Sequence, residues 1–527
     1  MTQAAPLSGD RDIVAVARGA GFLAGGRVLS SVVRLVAAVI LARLLGANDY
    51  GLYILAVSVA FAASSVASLG LDLAMERHIA VAALRDDVEG ATGALQVGIP
   101  GTLLPALVGA AVVAALADVI ALDVFDEPGL APLLRVAAAL IVLISMSTLL
   151  FSVIIGCKRI DQAAFADHVV QPVSRLVFIL LLAVLGMTAQ LAGVALGLSY
   201  VASITVMLAL VNRRIPLAGL VRPARRDVRE IMAFAFPAWL SGVLRIVRTR
   251  IQPLLLGVAG SAANVGVFSV VTSASALGRL AMLSINAALR PTLAELHDLG
   301  DAKAVGRLYT TTTRWTLAVS LPVFVFMVLV PESLLGLFGS SFQTGVTALV
   351  IAATAEVANA ATGMCGPIIA MSGHNKLKVV NATAWMVISI GANVVMIPLW
   401  GVIGAALAIL VSTTMINVLR VVEVWILMRI LPWDRHLWKV LTAAAITAAV
   451  GSLVVAALPD KLGLAMLIAL AVGIGLLFIA TVALLGLEDD DRLVLDRIMR
   501  AARRLIHGIK GRASGGPGRR RVPPPWS

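Results

Sequence analysis

The chain of 527 residues is 60% hydrophobic and only 13% charged, whereas about 25% of the residues in a soluble domain are charged. A soluble protein this apolar would expose large hydrophobic patches. The composition therefore excludes a cytosolic enzyme, a secreted disulfide-rich domain and a disordered chain. A net charge of +13 leaves three interpretations: nucleic-acid binding, membrane-surface binding and the orientation of membrane spans.

Fourteen stretches are apolar and long enough to be membrane spans, which need about 20 residues each. In chain order, as spans 1 to 14, they are 20–42, 52–71, 92–117, 133–156, 166–186, 190–211, 231–257, 265–289, 315–330, 346–371, 379–398, 402–427, 438–457 and 463–486. Spans 5 and 7 are the weakest candidates because each carries arginine. The sequence predicts an all-α polytopic membrane protein with fourteen transmembrane helices.

The loops between these spans alternate between basic-poor and basic-rich. The basic-poor set contains only Arg43 and Lys461 as basic residues, while the single loop 212–230 contains six. The basic-poor set comprises 43–51, 118–132, 187–189, 258–264, 331–345, 399–401 and 458–462. The basic-rich set comprises 72–91, 157–165, 212–230, 290–314, 372–378 and 428–437. Basic loops stay in the cytoplasm, so we expect both termini there, and the charge reports orientation rather than nucleic-acid binding.

Both ends of the chain are predicted to be cytoplasmic tails. Residues 1–12 are expected to be disordered, and span 1 is expected to be retained rather than cleaved as a signal peptide. The tail 487–527 carries ten basic and five acidic residues. Within it, 492–510 fits either a helix on the inner membrane surface or a solvated tail.

Two pairs of similar segments indicate an internal repeat, a common feature of transporters. LLGANDYGLY (44–53) resembles VAGSAANVGVF (258–268), with Gly51 matching Gly266 and Tyr53 matching Phe268. A second pair, 190–197 and 398–406, lies at the starts of spans 6 and 12.

This repeat predicts two pseudo-symmetric lobes of six helices. The predicted lobes are 13–217 and 218–430, followed by the two extra helices within 431–486.

Arginines outnumber acids inside the spans. They are Arg27 and Arg34 in span 1, Arg175 in span 5, Arg245, Arg248 and Arg250 in span 7, and Arg279 in span 8. The one clearly mid-membrane acid is Glu356 in span 10. A charge at membrane depth costs several kcal/mol, and structural ion pairs would require matching acids.

A water-filled cationic cavity would account for this excess. Arg34, Arg245, Arg248 and Arg279 are its predicted lining, and a guanidinium binds phosphate through a planar fork of donors. We therefore expect an anionic substrate. The side chains of Arg27 and Arg250 fit either the cavity or snorkelling to the interface.

Three further polar residues are candidates in this cavity. Asp72 lies near the cytoplasmic end of span 2. Glu356 is either a proton- or cation-coupling site or the partner of a cavity arginine, and Asn359 lies one turn further on. Breaks near Gly363 and Pro367 would let span 10 bend.

The chain resembles the polysaccharide and oligosaccharide flippases of the multidrug/oligosaccharidyl-lipid/polysaccharide exporter superfamily. The resemblance is carried by 40–80, by 265–296 and by NVVMIPLWGVIGAALAILVS at 393–412. It implies two facing lobes that alternate access, with spans 1, 2, 7 and 8 around the cavity. Arg27, Arg34, Asp72, Arg245, Arg248 and Arg279 lie on those spans.

The resemblance implies export of a lipid-linked oligosaccharide on polyprenyl pyrophosphate across the bacterial inner membrane, for cell-surface polysaccharide synthesis. Two extra C-terminal helices resemble those of the lipid II flippase and O-antigen-type flippases. Drug-exporting relatives usually carry an acid in helix 1, where this chain has arginines. Besides the lipid-linked glycan and membrane lipids, a glycan polymerase or glycosyltransferases are candidate partners.

Other function classes predict other features. A glycan polymerase or ligase needs large outer loops with catalytic residues, and the longest here have 15 residues and no histidine. A cation-coupled drug antiporter would transport a cationic dye, and a scaffold would tolerate alanine at the cavity arginines. No cofactor or metal is expected, because two cysteines and six scattered histidines lack ligand spacing.

Overall fold

Backbone polar groups inside a bilayer must be hydrogen-bonded within the chain, so an apolar chain crosses as helices or as a closed barrel. The computed structural model of this protein is helical, without a β-strand in the part of the chain that it describes. It describes residues 9–221, 228–279, 301–371, 375–459 and 462–486, with isolated positions between 282 and 299. The tail 487–527 lies outside the described residues.

The helices follow the predicted spans closely in the first half of the chain. Spans 1 and 2 form one kinked helix, Gly9–Ala67, which is followed by Leu71–Leu84. Spans 3 to 6 are Val88–Ala115, Leu130–Gly156, Ile160–Ala183 and Ala189–Asn212. Residues 9–12 are helical, so the prediction that the whole of 1–12 is disordered is wrong for these four residues.

The second half is built in the same way. Spans 7 and 8 correspond to Val228–Ala259 and Ala262–Ser275, and span 9 to Ala302–Leu329. Span 10 is divided into Val346–Ala361 and Cys365–Met371, and spans 11 and 12 form the kinked helix Asn375–Met428. Spans 13 and 14 are Leu437–Ala456 and Leu464–Leu484.

Ten of the described stretches are long and apolar enough to cross a membrane. Two of them span two predictions each: Leu29–Ala67 includes parts of spans 1 and 2, and Lys376–Met428 includes spans 11 and 12. The polytopic all-α fold is therefore confirmed, while the count of fourteen stays a prediction, as does the division into lobes.

Glycine interrupts both of these double-length helices with a kink. Gly46 has φ 73° and ψ 176°, and Gly401 has φ 54° and ψ −124°. A side chain disfavours both conformations. The predicted outer loops 43–51 and 399–401 are therefore not separate loops, because a single glycine makes each bend.

Several predicted loops are wrong because they contain helix. Leu71–Leu84 occupies much of the predicted loop 72–91, and 302–314 belongs to span 9. Each segment buries an apolar face, with Met75 and Ile79 in the first and Val305 and Tyr309 in the second. Shorter helical segments occupy parts of other predicted loops, namely Ala117–Val119, Ile120–Val124, Ile160–Phe165, Pro331–Gly336 and Ser340–Gly345.

The two halves of the predicted repeat touch at the end of the bundle that carries Gly46. We call this the outer end, because the charge bias of the loops predicts that it faces away from the cytoplasm. A Cβ added to Gly51 would lie 1.7 Å from the carbonyl oxygen of Ala262, and one added to Gly266 would lie 2.1 Å from that of Ala47. The contact is reciprocal, since each glycine meets the residue four positions before its counterpart. We call these four residues the outer crossing.

Other contacts surround the outer crossing. The Tyr50 ring packs edge-on against Phe342 at 6.1 Å between centroids. The carboxylate of Glu127 accepts a 2.7 Å hydrogen bond from the backbone N–H of Ala262, the first residue of span 8. An acid at a helix N-terminus also interacts favourably with the helix dipole. Both contacts join the predicted halves.

Spans 13 and 14 are anchored to the second half by a buried ion pair. The Arg314 guanidinium lies 3.0 Å from the Asp434 carboxylate in the segment before span 13, and the two side chains are 7% and 24% exposed. Beside it, the indole N–H of Trp433 donates to the carbonyl of Ala361. The segment between spans 12 and 13 is thereby fixed to spans 9 and 10.

Replacing Asp434 with alanine should destabilise the protein by about 3 kcal/mol, because the buried Arg314 would lose its carboxylate. The matched control is Asp118→Ala. Asp118 pairs with Arg135 at 2.7 Å, but those side chains are 62% and 55% exposed, so this loss should cost less than about 1 kcal/mol. Thermal unfolding of the detergent-purified variants measures both effects. Equal melting shifts would contradict the anchoring role of Asp434.

Candidate functional site

The predicted cavity residues are only partly described. The side chains of Arg27, Arg245 and Arg248 lie outside the described residues. Arg34 is exposed, and so is Arg279, whose side chain is 48% accessible. The structure places Asp72 in the separate helix Leu71–Leu84 and half-buried, beside Glu76 one turn later.

Three arginines surround tyrosines in the first half of the bundle. Tyr200 of span 6 interacts electrostatically with Arg34, Arg175 and Arg250, which come from spans 1, 5 and 7. Three arginines from three spans therefore act on one half-buried tyrosine, which also interacts with the Asp167 carboxylate. We call this group, with Tyr53, the arginine–tyrosine cluster.

Aromatic side chains hold two of these arginines. Arg175 donates a 2.8 Å hydrogen bond to the Tyr53 hydroxyl. The Arg250 guanidinium lies 4.2 Å from the centre of the Phe61 ring in span 2, within cation–π range. Arg250 thus points into the bundle and packs against span 2. The rings stabilise the guanidinium groups without neutralising their charge.

One acid in this region was missed from sequence. Asp167 interacts electrostatically with Tyr200 and lies 3.0 Å from a ring nitrogen of His168. The predicted span 5 began at residue 166, which put Asp167 at its end, but the helix begins at Ile160. Asp167 therefore lies two turns inside this helix rather than at its end. The amphipathic pattern of IDQAAF (160–165) was the available signal.

A wide π-helical turn, Ala166–Val170, carries Asp167 and His168. The hydroxyl of Ser203 donates to the Ala166 carbonyl at 2.9 Å, and Gln171 donates to Ser199 at 3.1 Å. Span 6 therefore supports the turn through side-chain hydrogen bonds. Such turns within α-helices are frequent at functional sites.

The second half holds a separate polar group. Arg279 of span 8 forms a 2.8 Å ion pair with Glu356 of span 10, whose side chain is 15% exposed. One turn later, the side-chain oxygen Oδ1 of Asn359 accepts a 2.9 Å hydrogen bond from the side-chain amide of Asn417 in span 12. The structure thus brings Arg279, Glu356 and Asn359 together.

Span 10 breaks just beyond this group. Gly363 has φ 58°, and the helix stops at Ala361 and restarts at Cys365. The Tyr309 hydroxyl donates to the Thr362 carbonyl at 3.0 Å, while Trp433 donates to that of Ala361. The predicted bend at Gly363 is confirmed, and two ring donors satisfy the carbonyls that it frees.

The fold resembles that of solved transporters. The lipid II flippase MurJ in an inward closed conformation aligns with a TM-score of 0.66 at 14% identity, over 88% of this chain and 98% of MurJ. A multidrug resistance MATE family transporter of the MOP superfamily, in an inward-facing conformation, aligns with a TM-score of 0.61 at 17% identity, over 76% and 94%. These likenesses show a shared fold.

Sequence comparison finds a curated relative, a probable flippase AglR from Haloferax volcanii. It is 28% identical over 206 residues, 38% of this chain and 43% of the relative. The chain thus spans under half the length of that relative. The family model described as "Polysaccharide biosynthesis protein" matches residues 16–297. Since this match covers more than half of the chain, the protein belongs to the polysaccharide biosynthesis protein family.

Proposed function

We propose that this protein is a flippase that moves an oligosaccharide linked to polyprenyl pyrophosphate across the bacterial inner membrane. The pyrophosphate binds cavity arginines while the sugar crosses in water and the lipid tail stays in the bilayer. The two halves alternate access to either side, for cell-surface polysaccharide synthesis. Binding and movement suffice, so the protein is not proposed to be an enzyme.

The observation that carries this proposal is that Arg34, Arg175 and Arg250 all interact electrostatically with Tyr200, against the single carboxylate of Asp167. Several cations held close together repel one another and favour an anion between them. Guanidinium groups suit the planar oxygens of a pyrophosphate. Arg27, Arg245 and Arg248 are proposed to add to the same charge.

The Arg279–Glu356 pair supports a second anion-binding group, in which Arg279 can exchange Glu356 for the substrate. Arg279 is half-exposed while Glu356 is buried, so the arginine can reach an anion in the cavity. An incoming pyrophosphate would then compete with Glu356 for Arg279. We propose that Glu356, with Asn359 beside it, holds Arg279 until substrate arrives, and that Asp72 lies at the cytoplasmic entrance.

The orientation also remains a proposal. The charge bias supports cytoplasmic termini, and the outer crossing closes the end that would then face the periplasm. A cysteine at Asn48, exposed at that end, should then react with impermeant maleimide added outside the cell. Glycosyltransferases or a glycan polymerase are the proposed partner proteins.

A cation-coupled drug antiporter is the second candidate, because a MATE family transporter shares the fold. A cationic drug would meet repulsion from the arginine–tyrosine cluster, which favours the flippase. A glycan polymerase or ligase is the weakest candidate, because the curated relative is a probable flippase and solved transporters share the fold.

Alanine at Arg34 or Arg250 should reduce flipping about tenfold to a hundredfold, the loss expected when a charge-assisted hydrogen bond to phosphate is removed. Alanine at Arg245 or Arg248 is expected to act in the same way. Complementation of a strain that lacks its own flippase measures the effect, with membrane abundance checked by immunoblot. The matched control Arg135→Ala, which removes an exposed arginine, should complement normally. Normal complementation by all four cavity variants would rule out the cationic site.

The pairing of Arg279 with Glu356 predicts non-additive stability effects. Arg279→Ala leaves a buried carboxylate without its cation, and adding Glu356→Gln removes that charge. The loss of unfolding free energy in the double variant should therefore be smaller than the sum of the two single losses by about 1 kcal/mol. The difference is small because Arg279 is half-exposed. Thermal unfolding of the four proteins measures the coupling. Strictly additive losses would show that the pair contributes nothing.

A further inference from the structure

The outer crossing has a geometry that a repeat alone does not require. Gly51 and Gly266 are equivalent positions in the predicted repeat, and they pack against each other across the two halves. The backbone nitrogen of Gly266 would lie 2.9 Å from a Cβ on Gly51, and that of Gly51 would lie 3.1 Å from a Cβ on Gly266. Two helix backbones meet here with no side chain between them.

Neither glycine can be replaced without separating the helices. The nearest atoms to a new Cβ are backbone carbonyl oxygens, at 1.7 Å and 2.1 Å, and a helical carbonyl has no rotamer with which to move aside. Both glycines lie in helices with φ below zero, since neither is among the positive-φ glycines of the described chain. Alanine therefore suits each helix on its own and is excluded only by the close approach.

We propose that the outer crossing is a gate that closes the outer end, with Gly51 and Gly266 as the two residues that permit closure. Close approach at small residues is a general way for membrane helices to associate. Here the contact joins two halves that must separate for the outer side to open, so the same glycines set the stability of the closed state. The role in transport rests on the proposed flippase function, whereas closure itself does not.

Glu127 provides an independent contribution to the gate. It lies in the segment between spans 3 and 4 of the first half, and its carboxylate accepts from the first N–H of span 8 in the second half. A carboxylate bonded to a helix N-terminus is stabilising, and opening the gate would break this bond. Neutralising Glu127 should therefore favour the open state without any steric clash.

The test uses impermeant maleimide on intact cells and a cysteine at Ser273, in a background with Cys157 and Cys365 replaced by serine. Ser273 lies seven residues after Gly266, on the same face of span 8 and two turns deeper. Gly51→Ala and Gly266→Ala should each raise its labelling from outside several-fold. Because the contact is reciprocal, the two effects should be similar and the double variant should add little.

Two controls separate gate opening from general damage. Gly391→Ala adds a methyl group to a helical glycine with open space around it and should leave labelling unchanged. Size-exclusion profiles of the solubilised variants should match that of the parent. If a glycine variant fails to accumulate, Glu127→Gln gives the same readout without a clash and should also raise labelling.

The gate is overturned if labelling of the cysteine introduced at Ser273 stays at the parent level in both glycine variants and in Glu127→Gln. This readout needs no substrate. If labelling rises in the variants but the parent protein transports no glycan lipid, the flippase proposal is contradicted and the gate is still supported. Loss of glycan export together with raised labelling supports both.

Discussion

A charge or polar group that lies among apolar helices must have a partner, and this constraint explains the placement of the side chains described above. Arg314 meets Asp434, Arg279 meets Glu356, Arg175 meets the Tyr53 hydroxyl and Arg250 meets the Phe61 ring. The first two partners neutralise the arginine, and the last two only stabilise it. Three arginines therefore face one carboxylate, Asp167, around Tyr200, and this excess of positive charge defines the proposed site.

The outer crossing and the arginine–tyrosine cluster share one short segment of span 2. Gly51 is in the crossing, Tyr50 packs against Phe342 of the second half, and Tyr53 binds Arg175. A movement that separates the halves at Gly51 would shift both tyrosines. In the proposed mechanism, the anion site and the gate therefore involve residues only one helical turn apart.

The sequence predicted what depends on composition and periodicity. Long apolar runs identified the helices, and the mismatch between arginines and acids identified Arg34 and Arg279 as unusual. Gly363 predicted the bend in span 10, because glycine readily adopts a positive φ, whereas the kinks at Gly46 and Gly401 lie where separate loops were predicted. The similar segments around Gly51 and Gly266 identified equivalent positions, although not that they touch.

Sequence failed where tertiary packing decides the outcome. The sequence predicts loops at 72–91 and 290–314, yet the described helices Leu71–Leu84 and 302–314 bury one face, with Met75 and Tyr309 fully enclosed. Asp167 was missed because span 5 begins earlier than its hydropathy indicates. The ring partners of Arg175 and Arg250 are more than 100 residues away in sequence, so no local pattern could reveal them.

The central claim is that the cavity carries an anionic, lipid-linked glycan. Its most direct test is a flipping assay with purified protein in liposomes, using a fluorescent oligosaccharide on polyprenyl pyrophosphate and, in parallel, a cationic dye. The account predicts protein-dependent movement of the glycan lipid, inhibited by added pyrophosphate, and no movement of the dye. Transport of the dye without movement of the glycan lipid would contradict it.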